Sequence, residues 1–263
     1  MSKSAMRRVP VDGVELEVEV RGTGELVLLI QTALVADEFL PLATQPALAD
    51  HYRVIRYHRR GYANSSPVQG PGSIPRDAAD ARALLAALGV ARAHVVGVSY
   101  SGAVALDRFL TRVIGPDWRA AIDRTLPGAA DQMQQDTGTF FDTDLPALLA
   151  WRFGAEDARR ITQPGLHIGG SQSGPWFAEV RQLVLTWLPQ ADDVVLAGAD
   201  HSLALTHPGE VAAALVAFLR RYPIPGGGQR SPRTTTAPPA VPLSGLRVRS
   251  QQGREKSTHG PSK

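Results

Sequence analysis

The 263-residue chain is 43% hydrophobic and 20% charged, with no cysteine and a net charge of +3. That balance suits a folded domain, and the missing thiol excludes disulfides, cysteine nucleophiles and cysteine-ligated zinc. The positive sign is local: residues 224–263 hold seven Arg and Lys against Glu255, a tail charge of +6 that leaves −3 for residues 1–223.

At the N-terminus, MSKSAMRRVPVDG has no apolar signal core, and no stretch is long and apolar enough to span a bilayer. A cytoplasmic protein without membrane contact is expected. Val11–Val20 alternates apolar and charged residues after a turn at Asp12-Gly13, which predicts a half-exposed strand. Leu26–Ile30 is a continuous apolar run suited to a strand covered on both faces. Residues 36–49 read as helical, interrupted by Pro41 and Pro46, and Tyr52–Tyr57 as a strand. After a Gly/Pro/Ser-rich loop come a helix over Asp77–Leu88 and a buried strand over His94–Val98. Further strands are expected at 164–168 and 193–197, with helices near 176–187 and 208–221. Strands alternating with helices predict a mainly parallel sheet covered on both faces. From Ile224 the chain is rich in Pro, Gly and Ser and predicts a disordered basic tail, with no aromatic interleaving of the kind that stacks on nucleic acid. The expected organisation is one domain over 1–223 and a tail over 224–263.

The stretch His94–Leu106, HVVGVSYSGAVAL, places Ser99 where a buried strand turns into a helix. Strand, Gly-x-Ser-x-small turn and helix together are the context of a nucleophile elbow. Gly97 and Ser101 are small because bulk two residues either side of so sharp a turn would collide. The competing reading, a phosphate-binding turn, wants Gly-x-Gly-x-x-Gly after the first strand. Gly97–Gly102 has serine at the middle position and lies on a late strand. A nucleophilic serine needs a base, and Gly198-Ala-Asp-His201 offers one directly after a strand, at the same carboxyl edge. His207 follows at a spacing unsuited to a metal-binding pair, so no metal site is read.

Four segments in order resemble the α/β-hydrolase family: Leu26–Phe39 its third strand and oxyanion loop, Tyr57–Ser66 its Asp-Arg-Arg-Gly-x-Gly-x-Ser loop, Gly97–Gly102 its elbow, and Gly198–His201 its terminal histidine loop. The resemblance implies the α/β-hydrolase fold with a short helical lid, about 107–162, carrying Phe140, Phe141, Trp151 and Phe153 as apolar contacts. It implies Ser99 as nucleophile, His201 as general base, and the N–H groups of Tyr100 and Ala33 as the oxyanion hole. The reaction implied is cofactor-independent hydrolysis of a small ester-type substrate through an acyl-enzyme. Perhydrolase or lyase chemistry on the same Ser/His pair stays open. So does an alternative of another class, a catalytically impaired hydrolase-fold protein that binds a small ligand or a partner.

The departures are specific. The oxyanion loop begins Gln31-Thr32 instead of His-Gly, His58 replaces an Asp, Ala63 a Gly, and Ser173 stands where the family carries its triad acid. Asp200, Asp192, Glu179 and Asp142 are candidates by proximity, but the acid remains unassigned. No aliphatic or β-branched run appears between Gly102 and Pro164, so the family's sixth strand is expected to be absent. The next strand must then pair with the fifth or leave a gap of about 4.8 Å, one strand width.

Overall fold

The computed structural model describes residues 5–98, 117–224 and the backbone of 247–249. Strands β1 (Arg7–Val11) and β2 (Val14–Arg21) form a hairpin over Asp12-Gly13, both with positive φ (41° and 80°). Two such residues make the turn whose twist matches its strands. Strands β3 (Glu25–Ile30), β4 (Tyr52–Tyr57) and β5 (His94–Gly97) complete a sheet ordered β1-β2-β4-β3-β5, with β3 parallel to both neighbours. Val27, Leu28 and Leu29 are essentially fully buried. Covered on both faces, each such side chain contributes about 1.5–3 kcal/mol.

One face packs on helix Ile74–Ala87, through Ala81 and Leu84. That helix begins earlier than the apolar periodicity indicates because Ser73 caps it, its hydroxyl accepting the Arg76 N–H at 3.1 Å. The other face packs on the short helices Leu40–Ala43 and Pro46–Ala49 and on helix Pro208–Leu219.

Strands β6 (Leu166–Gly170) and β7 (Asp192–Leu196) are parallel to each other and belong to a second sheet. Between Gly97 and Leu166 the described residues contain helices and no strand, and β6 does not pair with β5. Among the described residues the arrangement matches the second of the two expected forms, with β6 and β7 apart from β5. Side chains bridge what backbone hydrogen bonds do not: Val27, Leu29 and Val54 share one apolar cluster with Val194 and Leu196, and Val211 and Leu215 of the last long helix belong to it as well. Val95, on the last strand before the break, is 60% exposed. Within the tail, Arg247–Arg249 pair antiparallel with Asp193–Val195 as β8; the rest of 225–263 lies outside the described residues.

Helices Trp118–Thr125 and Ala129–Gln135, with a π-helical turn at Phe140–Asp144, cover the loop that follows β3, and helix Leu145–Ala150 continues from that turn. Phe140 is buried there and meets Phe141 edge-on at 4.9 Å. Trp151 is not part of that core: it is 43% exposed and stacks on Phe153 at 5.3 Å. Among the described residues, no helix is long and apolar enough to cross a membrane.

Candidate active site

The carboxyl end of β3 runs into Gln31-Thr32-Ala33-Leu34, all buried. Thr32 stands where the family carries glycine, but the left-handed residue of this loop is Leu34, with φ 71°. A leucine held there costs about 1–2 kcal/mol relative to a right-handed conformation. It persists because its surroundings hold it. The Leu34 N–H donates to the Tyr62 hydroxyl at 3.1 Å, and that hydroxyl donates to Asp144 Oδ2 at 2.5 Å. Arg59 fixes the rest of the loop: its backbone N–H donates to Gln31 Oε1 at 2.6 Å, and its guanidinium to Gln31 O at 3.1 Å and Thr32 O at 3.4 Å.

Arg59, 4% exposed, also pairs with Asp77 at 2.7 Å and with Asp144 at 2.7 and 3.1 Å. A buried guanidinium between two carboxylates is paired well enough to survive desolvation, and losing one partner of such a pair costs about 3–5 kcal/mol. Burial raises the Asp77 carboxyl despite the opposing Arg59 charge. The Tyr62 phenol is raised well above its usual range, first by burial and then by the Asp144 charge.

These contacts come from the Tyr57–Ser66 loop, whose shape depends on Gly61 (φ 81°) and Ala63 (φ 47°). A Cβ on Gly61 would lie 2.6 Å from Thr139, so the glycine is what allows the lid to dock here. His58, in the family's aspartate position, lies between two acids: Nδ1 meets Glu17 Oε2 at 2.9 Å and Nε2 meets Asp37 Oδ1 at 3.0 Å. Burial opposes its charge, but the two carboxylates prevail and raise its pKa. The hydrogen bond from His58 lowers Glu17 to about 2 against burial. Burial likewise opposes the ionised Asp37, yet His58 and Arg56 bring it to about 2. Where the sequence alone suggests a lost aspartate, the structure has an imidazole held between two carboxylates, an arrangement that favours its charged form. A cavity of about 380 Å³ opens beside it, lined by Glu17, Asp37, Arg56, His58, Asn64 and lid residues including Gln132.

His201 follows β7 in the loop that contains Gly198, and its ring stacks on Phe177 at 3.7 Å, 20° from parallel. Burial pushes its pKa down to about 4, with Asp200 opposing. Among the described residues no carboxylate hydrogen-bonds the imidazole. Asp200 instead accepts the Ser202 N–H at 2.9 Å, Asp192 pairs with Arg221, and Glu179 is exposed on helix Pro175–Trp187. Ser173, at the family's acid position, lies on the β6 loop, which is tied to the histidine loop: Gln172 N donates to Ala199 O at 2.8 Å and Gly198 N to Ser171 Oγ at 2.9 Å.

The histidine loop and the oxyanion loop meet in one apolar cluster. Leu205, four residues after His201, packs with Ala33 and Leu34 against Ile122, Leu126 and Phe140 of the lid. Ser99 and Tyr100 lie outside the described residues; β5, which leads to them, ends at Gly97, paired with Ile30. Sequence reasoning missed Arg59, Tyr62 and Asp144 as one unit and Phe177 as the ring beneath His201. The first two stand in a quoted motif; Asp144 gave no sign, since the lid was read for its aromatics. Among the described residues, no group of three or more His, Asp or Glu is placed to hold a metal ion.

A family model described as alpha/beta hydrolase fold matches residues 27–107, from within β3 through β4 and β5. No curated protein matches the sequence. Among solved structures, a thermophilic esterase from Thermogutta terrifontis superposes with a TM-score of 0.63 at 18% identity, over 83% of this chain and 99% of that one. The enol-lactonase from Burkholderia xenovorans LB400 gives 0.59 at 23% identity, over 81% and 100%. Carboxylesterase CesB from Bacillus subtilis gives 0.63 at 15% identity, over 83% and 92%. At such identities the likeness is one of fold.

Proposed function

Starting from a chain that has the α/β-hydrolase fold, we propose that it is a cofactor-independent serine hydrolase acting on a small ester-type substrate. Ser99 attacks the carbonyl carbon while His201 takes its proton, and His201 returns that proton to the departing alcohol as the ester C–O bond breaks. The N–H groups of Ala33 and Tyr100 receive the oxyanion, and water then hydrolyses the acyl-enzyme with His201 as base. The observation that carries this reading is the convergence of the His201 loop and the Ala33 loop, through Leu205, on one cluster beneath the lid. The esterases and the lactonase that share the fold support ester-type chemistry.

A second reading is favoured by His201 itself. With no carboxylate partner among the described residues and a pKa pushed to about 4, the imidazole is a weak base without a fixed tautomer. Neutralising the orienting acid of a related triad lowers turnover about 10⁴-fold. A hydrolase-fold protein impaired to this degree serves as a binder of a small ligand or partner.

One experiment separates the two: a fluorophosphonate probe with mapping of the adduct, alongside Ser99→Ala and His201→Ala. Labelling at Ser99 that depends on His201 supports the hydrolase. An unlabelled protein with an intact circular dichroism spectrum supports the binder.

A further inference from the structure

On the serine-hydrolase reading, we propose that Asp144 is a positioning residue that, through Tyr62 and Arg59, holds the Gln31–Leu34 loop in the conformation presenting the Ala33 N–H to the substrate. Asp144 closes the π-helical turn Phe140–Asp144 of the lid and is 4% exposed. A π turn widens the helix locally and re-aims the side chains that follow, which is why such turns recur at functional sites. Here the re-aimed carboxylate reaches residues 82 and 85 positions earlier in the chain.

The Tyr62 hydroxyl has one proton to give, and its oxygen accepts the Leu34 N–H. Asp144 Oδ2 accepts that hydrogen bond at 2.5 Å, which turns the phenol oxygen's accepting side toward Leu34. Without an acceptor at 144, the hydroxyl is free to rotate and the left-handed Leu34, adjacent to Ala33, loses the bond that holds it. Asp144 also orients Arg59, whose guanidinium bonds the carbonyls of Gln31 and Thr32. Arg59 keeps a second carboxylate, Asp77 from helix Ile74–Ala87, so a variant at 144 does not leave it unpaired. The lid is docked against the same loop by Thr139, whose hydroxyl donates to Gly61 O at 2.7 Å. Lid placement and oxyanion-loop geometry are therefore one hydrogen-bonded unit.

The test uses the full chain with Asp144→Ala, which removes the acceptor, and, as a variant that keeps the lid sequence, Tyr62→Phe. Three quantities are measured: the rate of Ser99 labelling by a fluorophosphonate, kcat and KM on p-nitrophenyl acetate, and amide exchange at Leu34 by NMR. Displaced oxyanion donors predict labelling and kcat lower by about 10- to 100-fold with KM within about 3-fold, and Leu34 exchange faster by at least about 10-fold while Val27–Leu29 stay protected. A merely structural role lowers the melting temperature and leaves the Leu34 amide and the kcat-to-KM split alone; that result, with wild type still labelled at Ser99, overturns the positioning role and spares the hydrolase reading. Wild type unlabelled at Ser99 overturns both. If Asp144→Ala fails to fold, Tyr62→Phe decides by the same three measurements.

Discussion

Glu38 is 7% exposed, its carboxyl makes no hydrogen bond among the described residues, and burial alone pushes that carboxyl from an ordinary 4.5 to about 8. A group whose folded pKa lies above its unfolded one costs nothing below the unfolded value, because both states are protonated. Above pH 4.5 the unfolded chain ionises while the native protein holds the proton, so stability falls by about 1.4 kcal/mol per pH unit until the folded pKa is reached. From 4.5 to about 8 the loss approaches 5 kcal/mol, of which about 3 kcal/mol has accrued by pH 7. Glu38→Gln keeps the shape and removes the titration. Urea unfolding of wild type and variant at intervals from pH 5 to pH 8 gives the difference in stability, in which other titrating groups such as His58 cancel. The variant gains relative to wild type with rising pH, on a slope near 1.4 kcal/mol per unit. Any unpaired amide in the variant shifts that line without tilting it. A difference that stays flat over those three pH units would falsify the burial argument.

Four further outcomes follow from particular contacts. Restoring the family residue with His58→Asp puts a third carboxylate against Glu17 and Asp37 and costs about 3 kcal/mol or more at pH 7; equilibrium unfolding checks it, and the deficit shrinks toward pH 3 as the carboxyls protonate. In wild type, the His58 charge stabilises the fold below pH 6.5 and that contribution disappears as pH rises through its raised folded pKa; an NMR midpoint for His58 at or below 6.5 is incompatible with the two-carboxylate arrangement. His201 titrates oppositely, with an NMR midpoint near 4, and a midpoint of 6 to 7 points to an orienting carboxylate in solution. Gly170→Ala places a Cβ 2.3 Å from Ala199 O and 2.5 Å from Asp200 O, so the backbone of the histidine loop must move; the expected loss is about 2 kcal/mol or more, with a shifted His201 resonance, and an unchanged resonance contradicts the close approach.

Along the chain, local pattern identified much that local forces control. Leu26–Ile30 is apolar throughout because both sides of its strand are covered, and Tyr52–Tyr57 and the alternation after Asp12-Gly13 declared themselves for similar reasons. Between Gly102 and Pro164 the sequence holds no continuous aliphatic or β-branched run, and the described residues of that stretch form helices and no strand. What the sequence could not show is which distant groups neutralise one another. His58 reads as a lost aspartate until Glu17 and Asp37 are seen on either side of it, and Asp144 reads as lid surface until its carboxylate is found on Tyr62 and Arg59. Secondary structure follows from periodicities a few residues long, so one strand of text reveals it. The charge state of a buried side chain depends on partners dozens of positions away, and only folding selects them.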